Sequence, residues 1–322
     1  MIMQNPRAGR WLEAYVSLLV QLHRLMARNL DEGREGDSLR DQMDLPWRRM
    51  TPEEIRMVRE VSADLYTITD PPATSSDSMP VEIDGLIARS LRDEDWVKLL
   101  RIVRENASTI PPHAASFLRG YCWSQLGLHE AGAEFFEHAV RLKPDQSDYR
   151  AYLLSGLVRA GREREALPFA EKWIASSTDP ALLFAASTTL FLNGLSSALD
   201  DARRFHKLAI EVAERAIQQA GQQQGLLDLV VKAYLHIALS HADLDELNRA
   251  KSAWKQAKQL APNSLDVILV GGLLEHPDEI SVEARHDAAR EVVGAPSQSL
   301  EQATTRTLPF APGLTAHSIL PS

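Results

Sequence analysis

Apolar side chains recur at intervals of three and four residues along almost all of the chain before residue 294, which is the period of an amphipathic α-helix. Near the start, Trp11, Tyr15, Leu18, Leu22 and Leu25 fall on one broad stripe of such a helix. Convincing runs of alternating apolar and polar residues, the pattern of a half-buried strand, do not occur. The sequence therefore predicts an all-α protein.

The first 68 residues are predicted to form a separate helical hairpin or cap. A polar stretch, residues 31–44, follows the first helix. The start of the next helix is marked by the segment 51–54, in which a threonine can cap the helix, a proline takes its first position and a glutamate follows three residues after the threonine. Residues 69–80, rich in Pro, Ser and Asp, are the predicted linker to the rest of the chain.

Beyond residue 80, three kinds of helix marker repeat with a common period of 33 or 34 residues. The first kind is a glycine that ends a first helix: Gly127, Gly161 and Gly194. The second is a small residue that opens a second helix: Gly132, Ala166, Ala250 and Ala284. The third is a proline that stops the second helix: Pro144 and Pro262, with Pro180 slightly late. Small residues let two antiparallel helices cross closely, a left-handed glycine closes the first helix, and proline cannot continue the second. A fixed period of this size indicates stacked helical pairs that bury their apolar faces against one another.

In two segments the spacing resembles the tetratricopeptide repeat family. Residues 113–146 carry, at most of the signature positions, Gly120, Trp123, Leu126, Gly127, Gly132, Phe136, Ala139 and Pro144. Residues 231–264 carry Tyr234, Ala238, Ala250, Trp254, Ala257, Leu260 and Pro262. The resemblance covers about two thirds of the chain and implies an α-solenoid of helix-turn-helix repeats. It is specific for the fold, but the family binds many unrelated partners.

Weaker matches complete a predicted array over residues 81–293, with about five to six units. The weaker units are residues 80–112, 147–180, 181–230 and 265–293. The two terminal units are expected to be degenerate, and the unit 181–230 to have a lengthened second helix. Trp173 stands where the family prefers alanine.

The last segment, residues 294–322, differs in composition from the rest of the chain. It holds four prolines, eight Ser or Thr residues and only two charged residues, Glu301 and Arg306. A segment of this kind is not expected to fold by itself. Two interpretations stay open: a frayed terminus, or a docking peptide built on the apolar residues at 308–310 and 319–320.

Composition narrows the function classes. The apolar fraction of 44% and the charged fraction of 25% are typical of a folded soluble chain. A formal charge of −9 argues against a general binder of nucleic acid or of anionic membranes. The single cysteine, Cys122, excludes an internal disulfide and fits a reducing compartment. Because the apolar run 16–20 is too short for a signal peptide or a membrane span, we expect a cytoplasmic protein.

No constellation of side chains suggests catalysis. His236 and His241 are five residues apart, about 140° around a helix, and cannot share a metal ion from one face. Cys122 has no adjacent basic residue and is expected to be an inert core thiol. His138 falls at a position that normally faces solvent, and the acids 93–95 are better suited to capping a helix than to binding a cation. We expect no catalytic residue, no metal site and no cofactor.

The family resemblance implies a concave groove lined by the first helices of successive repeats. Carried over by spacing, the groove residues are Phe117, Tyr121 and Gln125; Ala151, Ser155 and Arg159; Lys232, Leu235, Leu239 and Asp243; and, on a less well matched helix, Phe184 and Thr188. Most of these residues are apolar or small. They therefore do not suit the carboxylate clamp of some family members, and they favour an amphipathic helix or a hydrophobic peptide as partner.

The sequence thus favours a non-enzymatic scaffold or adaptor that binds a protein partner in this groove, and homo-oligomerisation is compatible with that role. The alternative is a peptide or small-ligand sensor that uses the same groove, for which the polar candidates are Tyr121, Arg159, Lys232 and Asp243. Neither hypothesis involves nucleic acid or a membrane.

Three places are open to the first amphipathic helix: against residues 52–68, on the first repeat, or inside the groove itself. Packing with residues 52–68 and the first repeat is favoured, because the linker at 69–80 is short.

Overall fold

The computed structural model describes residues 9–69, 79–221, 226–275 and residue 287. The regular elements within these residues are α-helices, with no strand among them. In chain order they are α1 (Arg10–Met26), α2 (Arg34–Arg49), α3 (Pro52–Thr69), α4 (Val81–Arg92), α5 (Trp96–Glu105), α6 (Pro112–Gln125), α7 (His129–Leu142), α8 (Ser147–Arg159), α9 (Glu163–Ile174), α10 (Pro180–Leu195), α11 (Leu199–Ala220), α12 (Leu227–Asp243), α13 (Leu247–Leu260) and α14 (Leu265–Glu275). The predicted all-α class is confirmed.

The helices form two compact units, one made of the described residues up to Tyr149 and the other of those from Arg150 onwards. The first unit holds α1 to α7, the second holds α9 to α14, and the boundary lies near the start of α8. Residues 70–78 of the predicted linker, and all residues after 275 except 287, lie outside the described residues. The domain bounds expected from the sequence therefore stay predictions.

From α4 onwards the helices alternate between first and second members of helix-turn-helix pairs. Within each unit the members of a pair pack together, as α6 does with α7 and α12 with α13, and each second helix also packs on the next first helix, as α11 does on α12. This is the repeat arrangement of an α-solenoid, as predicted.

Four of the five turns inside the described pairs, all but the turn between α10 and α11, close through a residue with positive φ. The turn residues are Glu94 (φ 52°), Gly127 (φ 87°), Gly161 (φ 71°) and Asp245 (φ 61°). Prolines follow the second helices as predicted, since α7 ends two residues before Pro144 and α13 two residues before Pro262. The Asp95 carboxylate accepts from the backbone N–H of Lys98 at 3.0 Å, so it caps α5, as expected for the acids 93–95.

Two of the sequence markers have other roles than predicted. Gly194 does not close a turn, because it lies inside α10; a Cβ there would approach the ring of His206 to 2.8 Å, so the glycine allows α11 to pack closely. Pro180 does not stop a second helix. It opens α10 as its first residue, after Asp179, whose carboxylate accepts from the backbone N–H groups of Ala181 and Leu182 at 2.8 and 3.0 Å.

The helices α6 and α7 cross closely at two glycines. A Cβ on Gly120 would lie 2.8 Å from the ring of Phe136 and 3.0 Å from the carbonyl oxygen of Gly132. A Cβ on Gly132 would in turn lie 3.0 Å from the carbonyl oxygen of Gly120. The two helices therefore touch backbone to backbone, which only glycine at both positions permits.

The second helix of the unit at 181–230 is lengthened, as predicted. α11 has 22 residues, whereas α7 and α13 have 14 each and α9 has 12. The glutamines at 222–224 lie outside the described residues.

The N-terminal segment contains three described helices rather than the two of a hairpin. The cap at 51–54 forms as predicted. The Oγ of Thr51 accepts from the backbone N–H of Glu54 at 3.2 Å, and the carboxylate of Glu54 accepts from the backbone N–H of Thr51 at 2.8 Å. The polar stretch 31–44, however, is mostly helical and belongs to α2. The buried residues Leu39, Met43 and Pro46 of α2 are spaced by four and three positions. Packing of these residues on α1 is enough to hold a helix whose other positions are mostly polar.

Asp64 of α3 anchors the N-terminal helices, a role that no pattern in the sequence indicated. Its carboxylate, 1% exposed, accepts from Arg104 of α5 at 2.8 and 2.9 Å, from Arg119 of α6 at 3.2 Å and from the indole N–H of Trp123 at 3.1 Å. Burial alone would lower the pKa of Arg104, but the bonds to Asp64 and Glu60 raise it above its ordinary value. α1 packs on α3 and on α7, and Arg24 Nε bonds Glu134 of α7 at 3.0 Å.

Candidate partner-binding surface

First and second helices of the pairs differ in how they are buried. In α6 every residue from Ala114 to Ser124 is buried, and in α10 every residue from Leu182 to Gly194. The second helices α9 and α13 each bury a narrow stripe, which in α13 is Ala250, Ala253 and Ala257. Because successive residues of a helix point 100° apart, eleven buried residues in a row leave no side of α6 in water.

The groove residues predicted on α6 lie in the first unit and pass from buried to accessible along the helix. Phe117 is 1% exposed, with its ring 5.7 Å from that of Phe136 and 4.8 Å from that of Tyr149. Tyr121 is 5% exposed and meets the ring of Trp96 edge to face at 5.5 Å. Gln125, the last residue of α6, is half-buried.

The groove residues predicted on α8 and α12 lie in the second unit. On α8, Ala151 is buried, whereas Ser155 and Arg159 are half-buried. On α12, the three buried residues are Lys232, Leu235 and Leu239, and Asp243 is half-buried. The accessible residue at the end of each row, Arg159 or Asp243, is also the last residue of its helix.

Opposite the predicted groove face, α12 forms the floor of a trough of about 360 Å³ between α11 and α13. Its lining residues are Glu214 and Ile217 of α11, Tyr234, Ile237 and His241 of α12, and Arg249, Ser252, Ala253 and Gln256 of α13. The two residues from α11 lie beyond its fourteenth residue, so the lengthened part of this helix builds one wall. His241 and Arg249 both bond the carboxylate of Glu246, at 2.8 and 3.0 Å, and these bonds lower the pKa of Glu246.

A second side of α12 faces α10 through His236. The His236 ring lies 4.9 Å from that of Phe184 and 5.7 Å from that of Phe191, and its Nδ1 lies 3.4 Å from the Oγ of Ser187. Burial, together with the charge of Lys232, lowers the pKa of His236 to about 3. His236 and His241 therefore point to different sides of α12, as the sequence predicted.

His138 is not exposed, contrary to the sequence expectation. It is 8% exposed, and its Nδ1 lies 2.9 Å from the Oγ of Ser116 on α6. Burial, with the nearby charges of Arg141 and Arg119, lowers the pKa of His138 to about 4. The signature spacing places this residue on the outer face, but the close crossing of α6 and α7 brings α6 against it.

Reactive chemistry finds little support among the described residues. Cys122 is fully buried, and burial raises the pKa of its thiol, which disfavours the nucleophilic thiolate. Within the described ranges, no three His, Cys, Asp or Glu residues come together in a way that could hold a metal ion. No helix of the described chain has both the length and the apolar character needed to cross a bilayer.

Comparison with known proteins addresses the repeat directly. The family model of the tetratricopeptide repeat matches residues 113–146, which contain α6, α7 and the glycine crossing between them. These residues are therefore similar to a tetratricopeptide repeat, in agreement with the resemblance of their signature positions. The match covers the unit whose signature residues are the most complete in the sequence. No curated protein sequence matches this chain.

Several solved structures resemble this chain at low sequence identity. YrrB, described as a tetratricopeptide repeat protein with an unusual peptide-binding site, is 14% identical over 68% of this chain and 100% of its own, with a TM-score of 0.44. MamA from Desulfovibrio magneticus RS-1, residue 41 to the end, is 15% identical over 58% of this chain and 99% of its own, with a TM-score of 0.45. The tetratricopeptide repeat domain of P58(IPK) is 12% identical over 91% of this chain and 81% of its own, with a TM-score of 0.33.

Proposed function

We propose that this chain is a non-enzymatic adaptor that holds a protein or peptide partner against the first helices of its repeats. The supporting observation is the recurrence of one pattern on separate helices. On α6, α8 and α12 a row that begins with a buried residue ends in a half-buried polar residue at the last position of the helix: Gln125, Arg159 and Asp243. Within each unit, the packed helix that carries such a row offers hydrogen-bonding groups beside apolar side chains without a large ordering cost on binding.

The partner that fits this surface is a polypeptide with an amphipathic or hydrophobic segment. Its apolar side chains would replace water next to the buried part of each row, and its polar groups would pair with the accessible ends. The charges at these ends are mixed, since Arg159 is positive and Asp243 negative. A partner selected by charge of one sign is therefore not expected.

The test begins with affinity purification of the intact chain and identification of what it captures. Binding of the purified partner is then measured by calorimetry for a chain with Arg159→Glu and Asp243→Arg, which reverses both charges at the row ends. The matched control carries Lys255→Glu and Glu211→Lys, two exposed positions on second helices. We expect at least about tenfold weaker binding for the first variant and wild-type binding for the control, because a desolvated charge pair contributes more than 1.4 kcal/mol.

Wild-type affinity in both variants, with helicity confirmed by circular dichroism, would remove the first-helix surface from consideration. Phe117 and Leu239 are not suitable for this test, because they are 1% and 5% exposed and a charge there would disrupt the packing of the repeats.

The second candidate is a sensor of a peptide or small ligand at the same surface. It is supported by Lys232, a charged side chain that is 7% exposed on the groove face of α12. A ligand that binds only the folded chain raises the melting temperature. A metabolite panel that raises it in the wild type but not in Lys232→Met, with no polypeptide captured, would favour the sensor over the adaptor.

A further inference from the structure

The trough between α11 and α13 has two ends with different chemistry. Only six residues separate α11 from α12, and three separate α12 from α13, so both neighbours run antiparallel to α12. Counted from these connections, Glu214 of α11 is level with Tyr234 of α12, and Arg249 of α13 is level with His241. Tyr234 and His241 are seven residues apart, so the two ends of the trough are separated by about 10 Å.

At the His241 end, the charges are compensated within the protein. The carboxylate of Glu246 accepts from Nδ1 of His241 at 2.8 Å and from the guanidinium of Arg249 at 3.0 Å. An anionic ligand at this end would have to compete with Glu246 for Arg249. The His241 end therefore offers little attraction to a charged ligand.

At the Tyr234 end, the carboxylate of Glu214 has no compensating cation. Among the residues that the structure describes, Glu214 makes no ion pair and no hydrogen bond through its side chain. The adjacent Arg215 donates instead to two backbone carbonyl oxygens at and after the end of α9, at 2.8 and 3.1 Å. Lys251 and Lys255 lie two positions to either side of Ala253, which lines the trough, and therefore point about 160° away from it around α13.

Apolar surface lies next to this carboxylate. Ile217 follows Glu214 by one turn of α11, and Ile237, 5% exposed, follows Tyr234 by one turn of α12. The ring of Tyr234 is half-buried at the same end. A basic side chain matches this arrangement, because its long apolar stem packs on aliphatic groups while its charged head pairs with a carboxylate and is attracted to an aromatic ring.

We propose that the trough binds a lysine or arginine side chain of a partner polypeptide, with its charged head at Glu214 and its stem on Ile217 and Ile237. A trough of about 10 Å accommodates about three residues of extended chain, so a short segment around the basic residue is held with it. The site is on the opposite side of α12 from the predicted groove residues. The proposal therefore goes beyond the adaptor function and does not depend on it.

The test uses a blocked tripeptide, leucine-lysine-leucine, as the probe, with leucine-glutamine-leucine as the uncharged control. Each is titrated to millimolar concentration into the full-length chain, and the amide resonances of Ile237 and Ala253 are followed by NMR. Glu214→Gln removes the charge from the trough. The matched control, Glu211→Gln, removes the same charge from an exposed position one turn earlier on α11.

We expect the lysine tripeptide to shift the trough resonances and to bind about two- to fivefold more weakly to Glu214→Gln, because one exposed charge pair is lost. Its affinity for Glu211→Gln should equal that for the wild type. The glutamine tripeptide should bind weakly and equally to all three chains. Equal affinity of the two tripeptides for the wild type, equal weakening by the two variants, or no shift of the trough resonances would each overturn the proposal.

A second variant tests the location without any change of charge. Gln256 is an exposed residue of α13 level with Tyr234, and Gln256→Trp fills this end of the trough. We expect it to abolish binding of the lysine tripeptide. Unchanged binding would place the cation elsewhere on α11 and contradict the proposal. Neither variant touches Arg159 or Asp243, so failure here is distinct from failure of the adaptor hypothesis.

Discussion

At the scale of single residues, the carboxylate of Asp64 connects three helices. It is the only acid described in contact with both Arg104 and Arg119, and it also accepts from Trp123 of the best repeat. Arg119 is 3% exposed, and burial lowers its pKa even though the charge of Asp64 opposes this. The carboxylate thus keeps a buried guanidinium compensated while it ties α3 to α5 and α6.

Asp64→Asn is expected to lower the free energy of unfolding by about 3–5 kcal/mol, because it removes the negative charge and leaves Arg119 buried without compensation. The control is Glu60→Gln, which removes the other carboxylate from Arg104. Glu60 is 45% exposed in its side chain, so this change should cost no more than about 1 kcal/mol. Urea unfolding of the two variants measures both values. Similar losses in the two variants would show that Asp64 is no more than a surface partner.

His236 makes the stability of the second unit depend on pH. Its pKa is about 3 in the folded chain and about 6.5 when unfolded, so the unfolded chain takes up a proton that the folded chain does not. The resulting stabilisation is complete when the pH is above the pKa of the unfolded chain, and it is lost as the pH falls below that pKa. At pH 5 the free energy of unfolding is lower by about 2 kcal/mol, because each pH unit below 6.5 costs about 1.4 kcal/mol and pH 5 lies about 1.5 units below it.

His236→Leu should therefore flatten the dependence of the unfolding midpoint on pH between 7.5 and 5. The Nε2 atom of His236 has no hydrogen-bond partner in the structure, so the leucine should be tolerated at pH 7.5. Urea midpoints of wild type and variant at the two pH values give the comparison. An acid slope as steep in the variant as in the wild type would assign the loss of stability to other groups.

At the scale of helices, glycines of the repeats serve two physical purposes. Gly161 closes a turn with φ 71°, and no atom lies within 4 Å of where its Cβ would be. Gly120 is helical and lies against the backbone of α7. Gly161 is needed for a left-handed backbone conformation, and Gly120 is needed because a side chain there would collide with α7.

Alanine at the two positions should separate these purposes. Gly161→Ala is expected to cost about 1–2 kcal/mol of left-handed strain, and Gly161→Asn less, because asparagine tolerates this conformation. Gly120→Ala should cost about 1–3 kcal/mol or more from overpacking, against a gain of about 1 kcal/mol in helix propensity. Thermal unfolding and the near-ultraviolet dichroism of Trp123 report both. A stabilising Gly120→Ala would mean that α6 and α7 move apart without cost.

At the scale of the whole molecule, the repeats are not independent of what precedes them. α1 packs on α3 and α7, and Asp64 compensates two arginines that belong to α5 and α6. The amphipathic first helix is thus packed against its own neighbours and the best repeat. The three N-terminal helices behave as part of the first unit.

Deletion of residues 1–68 is therefore expected to expose apolar surface on α7 and leave Arg119 uncompensated, so that the chain aggregates and melts at a lower temperature. Size-exclusion chromatography and thermal unfolding measure these effects. A chain that lacks only residues 1–8 is the control and should resemble the wild type. If the longer deletion stays monomeric, with the same helicity per residue and the same melting temperature, the N-terminal helices are dispensable.

The sequence alone predicted the helix pairs, their turns, the long α11 and the glycine crossing of α6 and α7. These depend on local rules: a 3.6-residue period, left-handed turn residues and proline after a helix. It missed α2, whose few apolar residues suffice only when α1 is beside it, and it misassigned Gly194, because a turn glycine and a close-packing glycine look the same in a sequence.

The tertiary structure alone decided which polar side chains are buried. Asp64 is 40 to 59 residues away from the groups that it bonds, and no local pattern marks such a carboxylate before its partners are brought together. Contacts between distant residues also explain why His138 is buried. They explain as well why the predicted groove residues are accessible mainly at the ends of their helices. Periodicity states which side of a helix is apolar, but burial of the other side depends on what packs there, and that is fixed only by contacts between distant parts of the chain.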